Sequence, residues 1–159
     1  MKTSVLLFLV LAFCAVSINA SKLRTHSHRA APPGIDWKDY LDSSLKGTLY
    51  VDTALIIGLD GVLWASSGLS ISAAEFQKLL TQFKTPSDVY NNGVTINGKK
   101  WTGVTAGTEN IVAKDSSNNQ IIIAKSNKAL LIGTAFSFKA GMGAYIVKSQ
   151  GEYLKARGY

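Results

Sequence analysis

Apolar residues recur along this chain with two periods, and the switch between them marks the elements. Trp37, Tyr40, Leu41 and Leu45 stand one to four residues apart, at the spacing that gathers them on one side of a short helix. Residues 50–59 form instead a run rich in β-branched and aliphatic side chains, followed by Asp60-Gly61 and a second run over 62–65. Asp-Gly between two such runs predicts a hairpin, because both residues tolerate the positive φ of a tight primed turn. Helical spacing returns at Phe76, Leu79, Leu80 and Phe83. Ser72 and Glu75 form a capping-box pair ahead of it, and Pro86 closes it.

The second half predicts a meander. Asn97-Gly98 joins Val94–Ile96 to a strand over 100–105, and a polar turn over 116–119 joins 111–114 to 120–125. Asn127-Lys128 then leads into a strand over 129–136. Beyond the glycines near Gly141 comes a last helix, with Tyr145, Ile146, Ser149, Tyr153 and Leu154 assigned to one side. Helix, hairpin, helix, long meander and helix in that order predict an α+β domain. Its centre is an antiparallel β-sheet, with the N- and C-terminal helices packed together on one face. There is no internal repeat.

The start of the chain follows a different pattern. Met1-Lys2, an apolar run over 5–16 and Ser17-Ile18-Asn19-Ala20 have the charge, apolar core and small-residue exit of a secretory signal peptide over 1–20. The run is too short for an ordinary helical span. Residues 21–34 are polar and basic, end Ala-Ala-Pro-Pro-Gly, and read as a flexible tail. One domain remains, over 35–159.

Composition narrows what that domain does. The formal net charge is +7, but four of the 17 basic residues (Lys2, Lys22, Arg24, Arg29) precede Ile35. The domain therefore carries 13 basic and 10 acidic residues, a formal charge of +3. That balance argues for no nucleic acid partner, which calls for a clustered basic face; it suits an acidic protein or an anionic lipid. Cys14 is the single cysteine, and both histidines, His26 and His28, lie in the tail. The domain thus has no thiol, no imidazole, no Gly-rich phosphate loop and no paired carboxylates. No metal or other cofactor is expected, and no catalytic residue.

The domain resembles the profilin family. Trp37-x-x-Tyr40 opens it. Residues 54–65, Ala-Leu-Ile-Ile-Gly-Leu-Asp-Gly-Val-Leu-Trp-Ala, are similar to the profilin stretch ending Asp-Gly-x-x-Trp-Ala. Residues 125–133 look like its late strand pair, and Gly151-Glu152-Tyr153-Leu154 with Gly158-Tyr159 resembles its C-terminal helix. The four motifs come in order and span 35–159.

The resemblance implies a non-enzymatic protein that binds monomeric actin, regulates its polymerisation, and holds proline-rich proteins on an aromatic surface. A polyproline II helix is already extended, so binding it orders little, and flat rings cover its prolines. By motif match that surface is Trp37, Tyr40, Trp64, Tyr153, Leu154 and Tyr159. The actin surface carried over is Lys114, Lys125, Asn127, Lys139, Gly141 and Tyr145. Anionic phosphoinositides are expected on the same lysines with Lys99 and Lys100. Family members work in the cytoplasm on the actin cytoskeleton, so the leader is a departure. Met1 and Met142 are the only methionines, which gives no internal start for the domain alone. Two readings stay open: an unused leader on a cytosolic actin regulator, or a secreted interaction protein acting on proline-rich ligands or a receptor. No transmembrane segment is expected in the mature chain.

Overall fold

The structure, a computed structural model, describes residues 33–159. The signal peptide assigned to 1–20, and all of the 21–34 tail except Pro33 and Gly34, lie outside the described residues. The elements run α1 (Trp37–Ser44), β1 (Thr53–Gly58), β2 (Leu63–Ser67), α2 (Ala73–Lys84), α3 (Ser87–Asn92), β3 (Val94–Ile96), β4 (Lys99–Ala106), β5 (Asn110–Lys114), β6 (Gln120–Lys125), β7 (Ala129–Ala135) and α4 (Ala140–Ala156). No helix among the described residues is long and apolar enough to cross a membrane.

The strands form one seven-stranded antiparallel sheet in the order β2-β1-β7-β6-β5-β4-β3. Its centre is covered on both sides, so the middle strands read as apolar runs rather than alternating ones. Ile122, Ala124 and Leu131 face α1 and α4, where they join Trp37, Leu41, Val147 and Leu154. Ile121, Ile123, Leu130 and Ile132 face the other way, onto Phe76, Leu79 and Phe83 of α2. The expected α+β architecture, with both terminal helices on one face, is what the chain adopts.

The hairpin at Asp60-Gly61 forms, but only Gly61 takes a positive φ, +86°, and the β1–β2 register shifts beside it at Ile57. It is therefore not the two-residue primed turn expected. The other local signals act as their chemistry requires. Asn97 and Gly98 take φ of +56° and +71°, the two left-handed residues of a primed turn. Ser72 Oγ accepts from the Glu75 N–H, and Glu75 Oε2 accepts from the Ser72 N–H at 2.7 Å, completing the capping box.

Two further expectations need correction. Pro86 does close α2, but it also caps α3, a one-and-a-half-turn helix the polar sequence Ser-Asp-Val-Tyr-Asn-Asn hides, since only Val89 is buried. The face assigned to the last helix is also rotated. α4 buries Ala140, Gly143, Val147, Gly151 and Leu154, while Tyr145 and Tyr153 point outward. The cause is close approach: a Cβ at Gly151 would lie 2.7 Å from Ala124 Cβ, and one at Gly143 would lie 2.6 Å from Ala135 Cβ. Those glycines are contact positions, which hydrophobicity alone does not reveal.

Candidate functional site

Asp36 caps α1, accepting from the N–H groups of Lys38 and Asp39 at 3.0 Å, and so fixes where Trp37 leaves the helix. Trp37 is 4% exposed. Its ring lies 4.5 Å from Trp64 of β2 at 45°, and meets the rings of Tyr159 and Tyr40 edge-on at 5.1 and 5.9 Å. Tyr40 in turn stacks on Tyr153 of α4, 6.5 Å away and within 14° of parallel. Five rings from both ends of the domain and one hairpin strand thus form one aromatic face.

Each outer ring is tied down. The Tyr40 hydroxyl donates to Gln150 Oε1 at 2.6 Å. Burial, with the neighbouring Tyr153 phenol adding to it and Arg157 opposing, holds the Tyr40 hydroxyl well above its ordinary pKa, so it remains a proton donor. The Arg157 guanidinium sits 4.7 Å from the Tyr153 ring centre. The Tyr159 carbonyl accepts from the Asn127 N–H at 2.8 Å, and Asn127 Nδ2 donates to the Lys155 carbonyl at 3.1 Å.

Two of the six residues carried over for this face are buried: Trp37 at 4% and Leu154 at 1% exposure both belong to the core beneath the outer rings.

The six residues carried over as an actin surface do not come together. Lys114, Lys139, Gly141 and Tyr145 share one end of the sheet and the start of α4, since Lys114 pairs with Gln120 and Gln120 with Ala135. Lys125 and Asn127 lie at the other end, where Lys125 pairs with Leu130. Lys125 also leans to the opposite sheet face, with Nζ 5.8 Å from the Phe83 ring centre. Asn127 holds the chain terminus. Lys139 is spent internally: its Nζ lies 2.6 Å from Asp52 Oδ1 and donates to the Leu49 carbonyl at 2.8 Å. Lys114 donates to Asn118 Oδ1 at 3.0 Å and Lys99 pairs with Asp115 at 2.6 Å, while Lys100 is exposed.

What surrounds the start of α4 is apolar, and sequence reasoning missed most of it. Phe138 is 85% exposed, Tyr145 67% and Leu49 79%, with Tyr50, Phe136 and Met142 also open. The Phe136 and Phe138 rings stack 6.1 Å apart, with Lys139 Nζ within 5.8 Å of both ring centres. Leu49 holds φ of +66°, a conformation a leucine rarely adopts. The available signal was Phe136-x-Phe138, two large apolar residues in the link between the last strand and the last helix.

The molecule is a small α+β module with an aromatic face at one end of its last helix and an exposed apolar surface at the other. The Profilin family signature matches residues 35–159, and the chain belongs to that family. It is therefore not an enzyme. Profilin-P of Physarum polycephalum is 36% identical over 126 residues, covering 79% of this chain and 100% of that one. The crystal structure of Acanthamoeba castellanii profilin II superposes with a TM-score of 0.72 at 33% identity, covering 77% of this chain and 99% of that one. Mouse profilin IIa, solved in complex with a double repeat from the FH1 domain of mDia1, shares the fold with a TM-score of 0.67 at 20% identity, covering 79% and 100% of the two chains.

Proposed function

We propose that this profilin binds proline-rich segments on the five-ring face and actin monomers at the opposite end of α4, and so regulates actin polymerisation. The observation that carries the first half is the edge-and-stack packing of Trp37, Tyr40, Trp64, Tyr153 and Tyr159 on one surface. A left-handed polyproline helix presents flat ring faces and unpaired carbonyls, which aromatic edges and phenol hydroxyls complement. Preorganised rings lose little freedom when such a peptide docks.

For the second half, the exposed Phe138, Met142 and Tyr145 offer a broad apolar surface of the kind that marks a protein partner. Lys114 and Lys100 lie on exposed positions that suit acidic groups on a rim, and the same lysines suit phosphoinositide headgroups. The expected place of action is the cytoplasm and the actin cytoskeleton.

Titrating decaproline into the protein while following tryptophan emission tests the aromatic face. A saturable change that disappears in Tyr153→Ala with the fold intact supports it; an unresponsive wild type overturns it. Pyrene-actin assembly, slowed by the protein in proportion to its concentration, is the matching test for actin.

The leader pattern over residues 1–20 favours a second reading, a secreted profilin acting on proline-rich ligands or a receptor outside the cell. N-terminal sequencing of protein from cells and from medium separates the two. A start at or beyond Ser21 in the medium supports export, and Met1 or Lys2 in the cytosolic fraction supports the intracellular reading.

A further inference from the structure

The chain carries two Asn-Gly pairs, Asn92-Gly93 and Asn97-Gly98, and the fold treats them differently. This dipeptide is open to one reaction in particular. The glycine nitrogen, unhindered by a side chain, attacks the asparagine amide carbon and closes a cyclic imide. We propose that Asn97 is such a modification site, that Ser70 and Glu75 hold it shut, and that its acidic product keeps the β3–β4 turn off the start of α2.

Asn92 ends α3, and the groups around its glycine are committed. The Gly93 N–H donates to the Val89 carbonyl at 2.9 Å, and the Gly93 carbonyl accepts from the buried Gln82 Nε2 at 2.7 Å. Asn92 Nδ2 donates to Asp88 Oδ1. Gly93 is itself buried, and a Cβ on it would run into the Trp101 carbonyl. Freeing that nitrogen means releasing the end of α3 from the interior.

Asn97 and Gly98 are both exposed, and the space where a Gly98 side chain would stand is empty to 4 Å. They turn β3 into β4, and β3 is three residues long at the edge of the sheet. Two side chains tie them down: Ser70 Oγ donates to Asn97 Oδ1, and the Gly98 N–H donates to Glu75 Oε1 at 2.8 Å. One bond holds the amide that is attacked, the other the nitrogen that attacks. Both must open before the imide can close, and that opening is confined to an exposed turn. Local openings of this kind take far less free energy than opening a buried unit.

Water is the sole co-reactant. The Gly98 nitrogen bonds to Asn97 Cγ and gives up its proton to solvent, while the Cγ–Nδ2 bond breaks and the nitrogen leaves as ammonia. Water then opens the imide at either carbonyl, leaving aspartate or isoaspartate. Either product places a carboxylate one residue from the N–H that Glu75 accepts, and Glu75 is held there by the Ser72 N–H at 2.7 Å. Like charges that close repel. Isoaspartate also adds a methylene to the main chain of a turn whose ends are set by the Ile96–Lys99 pairing. None of Ser70, Glu75, Asn97 and Gly98 enters the proline or actin reading.

The folded full chain is incubated in warm, mildly alkaline buffer, and peptide mapping by mass spectrometry follows both asparagines. Asn97 is expected to convert roughly tenfold faster than Asn92, or more, because it opens with a smaller unit. In urea the two should convert alike. Ser70→Ala and Glu75→Gln should each speed Asn97 about fivefold, through loss of one hydrogen bond that holds it shut, and leave Asn92 unchanged. The converted chain, separated by its added negative charge, should unfold at a lower urea concentration. Equal rates at the two sites in the folded chain, a rate at Asn97 no faster than wild type in either variant, or an unchanged urea midpoint after conversion overturns the proposal.

Discussion

The two ends of α4 present apolar residues in opposite ways. At the C-terminal end the rings are bought into place by one another: Trp37 is almost wholly buried, Tyr40 is hydrogen-bonded to Gln150, and Tyr159 is held through Asn127. At the N-terminal end Phe138, Met142 and Tyr145 stand out with little around them. The first arrangement is rigid and narrow, fitted to a thin ligand that is itself stiff. The second is broad and adaptable, fitted to a large surface whose shape completes it. The proposed reading therefore couples stability to recognition at one end and separates them at the other.

Four changes test that contrast, ordered by their expected effect on stability. Trp37→Ala removes the most buried ring, so it should cost about 3–5 kcal/mol in urea unfolding and abolish decaproline binding together. Binding lost without a stability change means the ring is less integrated than its packing implies.

Gly151→Ala adds a methyl group where a Cβ would lie 2.7 Å from Ala124 Cβ. The better helix propensity of alanine, ~1 kcal/mol, is outweighed by overpacking that costs roughly 1–3 kcal/mol and lifts α4 from the sheet. An unchanged or raised urea midpoint shows that the helix can shift at no cost.

Asp115 gives a pH test. Its bond with Lys99, joined by those from Asn119 and Ser117, lowers its carboxyl to about 2. A carboxyl depressed on folding stabilises above its unfolded pKa of about 4, and that stabilisation is lost as pH falls toward 2. Asp115→Asn should flatten the fall in urea midpoint across that window; an equally steep fall in the variant places the acid sensitivity elsewhere.

Phe138→Asp should move the urea midpoint least, within about 0.5 kcal/mol, because the ring is already in water. It should nevertheless weaken actin binding tenfold or more and leave decaproline affinity unchanged. Full actin binding by this variant removes Phe138 from the contact.

The elements most readable from sequence were those specified within a few residues. Asn97-Gly98 declares its turn through backbone conformation, and Ser72 with Glu75 declares its helix start through two reciprocal hydrogen bonds. What escaped depended on partners distant in the chain. Gly143 and Gly151 become the buried side of α4 only because Ala135 and Ala124 lie beneath them. Lys139 reads as a free cation until Asp52, far back in the chain, is placed beside it. Lys125 and Lys114 look equivalent in sequence, yet strand register puts them at opposite ends of the sheet and on opposite faces. The aromatic positions came from likeness to a family, since helical spacing alone does not distinguish Trp37 from an ordinary core residue.

α4 also acts as a ruler. Its 17 residues span about 25 Å at 1.5 Å each, and its glycine seating on the sheet prevents it from bending away. On the proposed reading, a proline-rich chain at one end and an actin monomer at the other lie about one helix length apart. A tether reaching from the gripped segment to that protein needs roughly eight extended residues to bridge the gap. The length of one helix thereby sets the shortest linker with which a proline-bearing partner can hold both ends at once.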